Sequence, residues 1–555
     1  MKKEFKKYDI PKFNNFRDVL ERGATNGGDK PAFLYREKKE IKKVSYKQFR
    51  DDTLYLGNAL FDMGFSGAHV ACIGENSYRW LTVYMTMLNS NGVFVPVDRL
   101  LPEGDIVTVL NHSETEVLFF SEKFEKTINN IKERLEFVKQ FICLGKSEDY
   151  LTYDNVIASG KKLCESGFHK YEEAKGDTNA LRVLVYTSGT TGMPKGVMLS
   201  EHNIVSCIYN GMKISRLYDR AISLLPYNHS YEMCGILAGL NNHTSVFIND
   251  SIRGIMKNFA EFKPESAYLV PSFLEVFYKR INHQLGDKKP LVERLIKVSN
   301  ALRKVGIDMR RVFFGQILKA FGGEMKKVVS GGAPIRPEIA EFFDSIGINV
   351  VNGYGITECA PLVSITRDNF EDCSTSGVPI DCISVKIENA DENGIGEICV
   401  KGDSVMLGYY KNKEETDKVI RDGWFHTGDL GTIDGEGRII VTGRSKNLIV
   451  LKNGKNIFPE EIEGYIMSIP YVKEAVVTSY KNAEGLEIGL CAYVYPDEES
   501  GCTEEMLRGD IDRACSSLPK YKNVTKIVIR DKEFEKTTSN KIRRNRIEND
   551  ITANA

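Results

Sequence analysis

The first hundred residues switch repeatedly between two hydrophobic periods, and this restricts the fold more than any other feature. "KKVSY" reads as a strand, and "KQFRDDTLYLGNALFDMGF" brings Phe49, Leu56, Leu60 and Met63 near one helical face. "HVACIG" then reads as a buried strand, "NSYRWLTVYMTMLNSNG" as a helix and "VFVPVD" as another strand. Strands alternating with helices bury their apolar surface best as a parallel sheet with helices on its faces. Further strands are expected at "LRVLVYTSG", "RAISLLPY", "SVFIND", "ESAYLVPS", "MKKVVSGG" and "INVVNGYG". Between Phe273 and Gly323 the pattern turns helical and basic, which predicts helices laid over one side of the sheet. From Val378 onward, glycine-punctuated strands such as "GEICVKG" and "GRIIVTG" point to a small barrel-like or antiparallel piece. The last hundred residues return to mixed α/β. At 555 residues the chain exceeds what one core holds, so more than one domain is expected.

Charge and cysteine usage remove several function classes. Lys and Arg number 75 against 76 Asp and Glu, so nothing suggests a nucleic-acid footprint. The twelve cysteines form no CxxC pair, which argues against a zinc ribbon or a thioredoxin-like site and fits reduced thiols in a cytoplasmic protein. The basic start "MKKEFKKYDIPKF" is followed by no apolar stretch of the secretory type, and no run of 18 apolar residues predicts a transmembrane span. The basic helical insert is a candidate for peripheral contact with an anionic membrane, against the plainer reading of a solvated face.

"YTSGTTGMPKGV", from Tyr186 to Val197, follows a short apolar strand and has almost no side-chain bulk. Glycines let a backbone approach a ligand closely, and successive N–H groups in such a loop make an anion-binding concavity. Hydroxyls add donors and Lys195 adds a charge that can meet a phosphate. The residue types fit a loop around a polyphosphate, although neither a Walker loop nor a dinucleotide fingerprint is matched.

This stretch resembles the first signature of the adenylate-forming (AMP-binding) superfamily. "LPYNHSYE", "SGGAPI", "NGYGITECAP", "GWFHTGDLG", "GRSKNLIVLKNGKNIFPEEIE" and "KTTSNKIRR" follow in that family's order and at about its spacing. "VNGYGITECAPLVS" and the basic insert most resemble the long-chain fatty acyl-CoA synthetases. The resemblance implies an α/β fold with a large N-terminal domain over 1–445 and a small mobile α+β C-terminal domain over 446–555, hinged at Lys446. It implies an ATP-dependent ligase using Mg²⁺ and coenzyme A. A fatty acid carboxylate attacks the α-phosphate, pyrophosphate leaves, and a thiol then displaces AMP. The alternatives are a ligase loading a carrier-protein phosphopantetheine, a CoA ligase for a medium-chain or aryl acid, and a catalytically idle nucleotide-binding protein.

Roles carry over from the resemblance position by position. Thr187, Ser188, Gly189, Thr190, Thr191, Gly192 and Lys195 look like the loop over the β and γ phosphates. Glu358 looks like the magnesium ligand, with Thr357 beside it on the α-phosphate. Tyr354, within Asn352, Gly353 and Gly355, looks like the adenine partner, with Gly332 and Ala333 on the other side of the base. Asp429 resembles the ribose-binding carboxylate and Arg444 the cation near it. His229 looks like the histidine near the substrate carboxylate. Lys541 matches the lysine that reaches the carboxylate and α-phosphate, although Asn540 stands where many relatives carry glycine. Gly454 would line the pantetheine tunnel. An acyl pocket is expected between the Tyr209–Ile236 and Ile356–Val363 segments, beneath the insert, with Gly235, Gly239 and Ala360 leaving room for a long tail.

Overall fold

The computed structural model describes residues 6–547 apart from 39, 175, 188–193, 252–253, 369–373, 452–455, 482–486, 537–541 and 545–546. The chain forms two compact units, residues 1–384 with 400–425 and residues 385–399 with 426–555. The boundary expected at 445/446 lies inside the second unit, whose hairpin residues up to Arg444 pair strand to strand with the segment after 426.

Two large sheets make up the first unit. One runs in the order Val378–Pro379, Leu362–Ile365, Asn349–Gly355, Lys327–Ser330, Ser266–Leu269, Arg220–Ser223, Ser245–Ile248, Pro31–Glu37 and Glu40–Ser45. Its central strands are parallel, and antiparallel partners close both edges. The other runs Gly408–Tyr409, Lys195–Ser200, Leu181–Thr187, Val93–Val97, His69–Ile73, Val117–Phe120, Gln140–Cys143 and Leu151–Thr152. Strands with both faces covered read as continuous apolar runs, and "HVACI" and "VFVPV" do so.

The alternation between residues 42 and 98 predicts the elements correctly but not their grouping. Glu40–Ser45 is an edge strand of the nine-stranded sheet, whereas His69–Ile73 and Val93–Val97 pair side by side in the eight-stranded one. Periodicity reports which residues face a core; it carries no information on which sheet a strand joins.

Helix Tyr78–Leu88 shows how the sheets are held. Ser77 caps it by accepting the Trp80 N–H. The sequence "YRWLTVYMTML" is apolar around most of the helix, as a helix enclosed on all sides must be. Trp80 packs edge-on to Phe94 of the eight-stranded sheet, while Tyr78 packs against Phe33 of the nine-stranded one. Full burial of each such side chain contributes about 1.5–3 kcal/mol.

The insert folds as helices Pro271–Leu285 and Lys289–Lys304 with shorter turns after them. Leu274, Phe277 and Ile281 enter the core with Phe259, Phe321 and Phe343, as expected for helices covering the sheet. Leu291, Val298 and Val305, seven residues apart, instead face outward with 57%, 50% and 72% exposure.

In the second unit, Val472–Lys481, Glu487–Pro496 and Val524–Ile529 form a three-stranded sheet. Helices Pro459–Ile466 and Glu504–Ala514 bury Ile462, Ile466, Leu507 and Ile511 in its core. The glycine-punctuated stretch supplies strands Ile383–Glu388, Gly396–Gly402, Trp424–Ile433 and Ile439–Arg444 of one branched sheet.

Candidate functional site

Strands Leu181–Thr187 and Lys195–Ser200 pair antiparallel up to Thr187 opposite Lys195. The two ends of the glycine-threonine stretch are therefore fixed by a ladder. Ser188, Gly189, Thr190, Thr191 and Gly192 lie outside the described residues. The Lys195 ammonium donates to Glu415 Oε2 at 2.5 Å and sits 5.1 Å from the centre of the Tyr409 ring. Tyr409 in turn donates its hydroxyl to Glu358 Oε1 at 2.9 Å. Lys195, with Lys418 behind it, holds the Glu415 carboxyl down at about 2. The structure thus joins the expected phosphate lysine to the expected magnesium carboxylate through one phenol.

Tyr409 and Glu415 escape a reading of the sequence. Tyr409 is placed by the short strand Gly408–Tyr409, which adds to the sheet opposite Val197. Glu415 follows the cap Asn412, whose side chain accepts the Glu415 N–H at the first turn of helix Lys413–Val419. The asparagine cap was the available signal for that turn; nothing local marks its contact 220 residues away.

Glu358 occupies the turn Thr357–Cys359, and its carbonyl accepts from Met406 N at 2.8 Å. Gly355 just before is obligatory, because a Cβ there would lie 2.3 Å from the Pro361 carbonyl oxygen. A carboxylate bonded through one oxygen to a neutral phenol is a hard oxygen donor of the kind magnesium takes.

Gly332 and Ala333 are exposed just past the carboxyl end of Lys327–Ser330, and Gly332 has φ +81°. Ser330 pairs in parallel with Asn352, so Gly353 and Tyr354 extend the neighbouring strand past the same carboxyl end, where they pair with Ile365 and Ser364. Asn352 is tied down through its N–H to Thr366 and its side-chain amide to the Thr375 carbonyl. Open α/β sheets take ligands in the crevice beyond such carboxyl ends.

His229 precedes helix Ser230–Asn241 and lies between Asn228 and Ser230, both of which line a cavity of about 20 Å³. Tyr84, Tyr227, Met233, Leu237 and Ala360 also line it. Tyr227, Asn228, Ser230, Met233, Cys234 and Ala360 of its lining come from the two expected segments, and among the described residues none comes from the insert. Gly235 and Gly239 do not open it either. A Cβ on Gly235 would press on the Tyr268 ring at 2.7 Å, and one on Gly239 would touch Thr244 at 3.5 Å. The missing side chain of Gly235 serves packing against Tyr268, a Cβ on Gly239 would make only ordinary contact, and Ala360 alone of the three lines the cavity. Glu232, buried one turn into the same helix, accepts from Leu224 N, and desolvation pushes its carboxyl up to about 8.

Asp429 and Arg444 face each other across the hairpin Trp424–Ile433 and Ile439–Arg444. The Arg444 Nε–Asp429 Oδ1 distance is 2.7 Å, with the acid nearly buried. Thr427 Oγ1 accepts the Asp429 N–H and donates to the Ile398 carbonyl, which fixes the turn. Lys446 is exposed in the turn Ser445–Asn447. Gly454 and Lys541 lie outside the described residues.

Comparison with known proteins bears on the family and the fold. Residues 20–410 match the family described as AMP-binding enzyme, and residues 461–541 match the AMP-binding enzyme C-terminal domain. The chain is 27% identical to fatty acyl-CoA synthetase B of Dictyostelium discoideum, over 93% of this chain and 81% of that one. It is 29% identical to long-chain-fatty-acid–CoA ligase 5 of Rattus norvegicus, over 87% and 75%. Its fold matches an anthranilate CoA ligase solved with anthranoyl-AMP, at a TM-score of 0.80 and 20% identity over 99% of each chain. With more than half its length inside the first match, and with the motif order and the two-sheet architecture in agreement, the chain belongs to the AMP-binding enzyme family.

Proposed function

We propose that this chain is an acid–thiol ligase that converts a fatty acid to its acyl-adenylate with ATP and then to the thioester of coenzyme A. The observation that carries this reading is the line Lys195–Tyr409–Glu358, which sets a phosphate-binding cation and a metal-binding carboxylate around one ring. Lys195 exchanges Glu415 for the β and γ phosphates. Thr187 and the loop Ser188–Gly192 supply donors around them. Glu358 would hold Mg²⁺, which would supply positive charge to offset that of the phosphates. Tyr354, with Gly332 and Ala333, holds the base, and Asp429 accepts the ribose hydroxyls. Thr357 donates to the α-phosphate, and His229 lies toward the acid. Lys541 draws together the carboxylate and the α-phosphate, two anions that otherwise repel. Lys446 is the pivot by which Gly454 would reach the pantetheine path.

The relatives' names support a fatty acid; the cavity of about 20 Å³ holds little more than one water, so any acid entering there needs its walls to move. A long tail then needs Met233 and Leu237 to move. Purified protein with Mg-ATP is expected to release pyrophosphate with long-chain acids and to form thioester with free coenzyme A. No pyrophosphate release would favour an idle nucleotide-binding protein. Acylation of a holo carrier protein alone would favour the carrier-loading reading. A kcat/KM series peaking at an aryl acid would replace the fatty acid assignment.

The protein is proposed to work in the cytoplasm with peripheral membrane contact. The exposed stripe Leu291, Val298 and Val305 beside Arg294 and Lys297 supports this. Anionic vesicles are expected to pull down the wild-type chain, and Val298→Glu to weaken that association. Equal recovery of both would remove the membrane reading.

A further inference from the structure

Four side chains of three chemical kinds meet on one face of the sheet in the second unit. Glu397 and Cys399 alternate along Gly396–Gly402 and so share a face. Glu388 ends the neighbouring strand on one side, and His426 stands on the neighbour at the other. His426 Nδ1 lies 3.0 Å from Glu397 Oε2, 3.4 Å from Glu388 Oε2 and 3.4 Å from Cys399 Sγ. Cys399 Sγ is 3.8 Å from Glu388 Oε2, and all four ligand atoms lie within 4.8 Å of one another.

These separations resemble the edges of a tetrahedral coordination shell. With Zn–N and Zn–O near 2.0 Å and Zn–S near 2.3 Å, ligand–ligand edges come to about 3.3 Å for N···O and about 3.6 Å for N···S. Both carboxylates also have their outer oxygen occupied. Glu388 Oε1 pairs with Lys386 at 3.1 Å, and Glu397 Oε1 accepts the Gly428 N–H at 3.0 Å. Each therefore turns its inner oxygen, Oε2, toward His426. Such outer partners orient ligands around a metal. Cys399 is fully buried and His426 nearly so, while the Glu388 side chain is 35% exposed and provides an entry path.

We propose that Glu388, Glu397, Cys399 and His426 form a binding site for one zinc-type divalent cation. A thiolate and an imidazole select such an ion over magnesium. On binding, the cation takes the lone pair of His426 Nδ1, leaving the ring proton on Nε2. It replaces the Cys399 thiol proton, which goes to solvent. The site is separate from Glu358 and does not depend on the proposed reaction. Through Glu397 and the Gly428 N–H it braces the turn that presents Asp429.

Full-length protein stripped with a chelator and titrated with Co²⁺ tests this. One equivalent is expected to bind with a thiolate-to-cobalt charge-transfer band in the near ultraviolet. One equivalent of Zn²⁺ should displace it, and excess Mg²⁺ should not. Cys399→Ser should lose the band. Cys164→Ser should keep it, although that residue belongs to another cluster, with His169 and Glu172. Glu388→Gln, at a partly exposed position, should weaken Co²⁺ affinity by about tenfold or more. No band in the wild type, a band that survives Cys399→Ser, or one lost in Cys164→Ser overturns the proposal. If Cys399→Ser fails to fold, unchanged affinity in Glu388→Gln overturns it alone.

Discussion

Two ion pairs, one in each compact unit, look alike and differ in what can undo them. Lys195 meets Glu415 in the first unit, and Arg444 meets Asp429 in the second. Glu415 stands on the first turn of a seven-residue helix, 29% exposed and shared with Lys418. Asp429 is 4% exposed, held across a hairpin in register with Arg444 and fixed by Thr427. Water and other charges compete for the first pair, so exchanging its acid for phosphate is cheap. The second keeps a buried charge compensated, and removing its partner is costly. The same chemistry is thus a removable counter-ion in one place and a fixed fixture in the other.

The comparison can be broken most strongly at Asp429. Asp429→Ala is expected to lower kcat/KM for ATP by about 100-fold or more. It should also lower stability by about 1 kcal/mol, since Arg444, 41% exposed, regains water while the buried contacts of Asp429 are lost. A normal Tm with normal ATP kinetics would mean that the second pair is as replaceable as the first. Next in size, Lys195→Met should raise KM for ATP by about tenfold, as loss of one charge-assisted phosphate contact predicts, with little change in Tm. An unchanged KM would remove Lys195 from the phosphate site.

Glu232 offers a third case, a buried acid with no cation named against it. Its folded value, about 8, lies above the ordinary carboxylate range. Between roughly pH 4.5 and 8 the native state holds a proton that the unfolded state has lost, so this group makes stability fall as pH rises. Glu232→Gln should flatten that slope in urea melts, and parallel slopes would contradict the assignment. Glu415 has the opposite sign: its stabilising share is present above the ordinary carboxylate value and is lost as pH falls toward about 2. The smallest effect expected is at Glu415 itself. Glu415→Gln should lower KM for ATP by about two- to fivefold at low salt and less at high salt, with Tm nearly unchanged. A raised KM would show that Glu415 assists nucleotide binding instead of competing with it.

Legibility in the sequence followed the range of the interactions. The helix Tyr78–Leu88 and the strands around it were plain from apolar period and flanking turns, which are local. Lys195, Glu358 and Asp429 were found because their neighbours form long motifs. Tyr409 and Glu415 were missed, since a tyrosine after glycine and an acid in a polar helix have no distinctive neighbours. Gly235 was misread because a missing side chain marks close approach without saying whether a ligand or a tyrosine approaches. The set Glu388, Glu397, Cys399 and His426 has no metal-binding spacing along the chain; only strand pairing assembles it.

The sequence by itself determined which segments are strands and helices, where the glycine-threonine stretch begins and ends, and which family the motifs resemble. Backbone propensity, side-chain period and glycine's freedom act over a few residues, and a linear reading captures them. Tertiary structure alone decided that adjacent strands in the chain join different sheets, that Lys195 rests on Glu415, and that Tyr409 links it to Glu358. Those outcomes depend on contacts up to 220 residues apart, whose energies come from burial and charge contacts that exist only once the chain has folded.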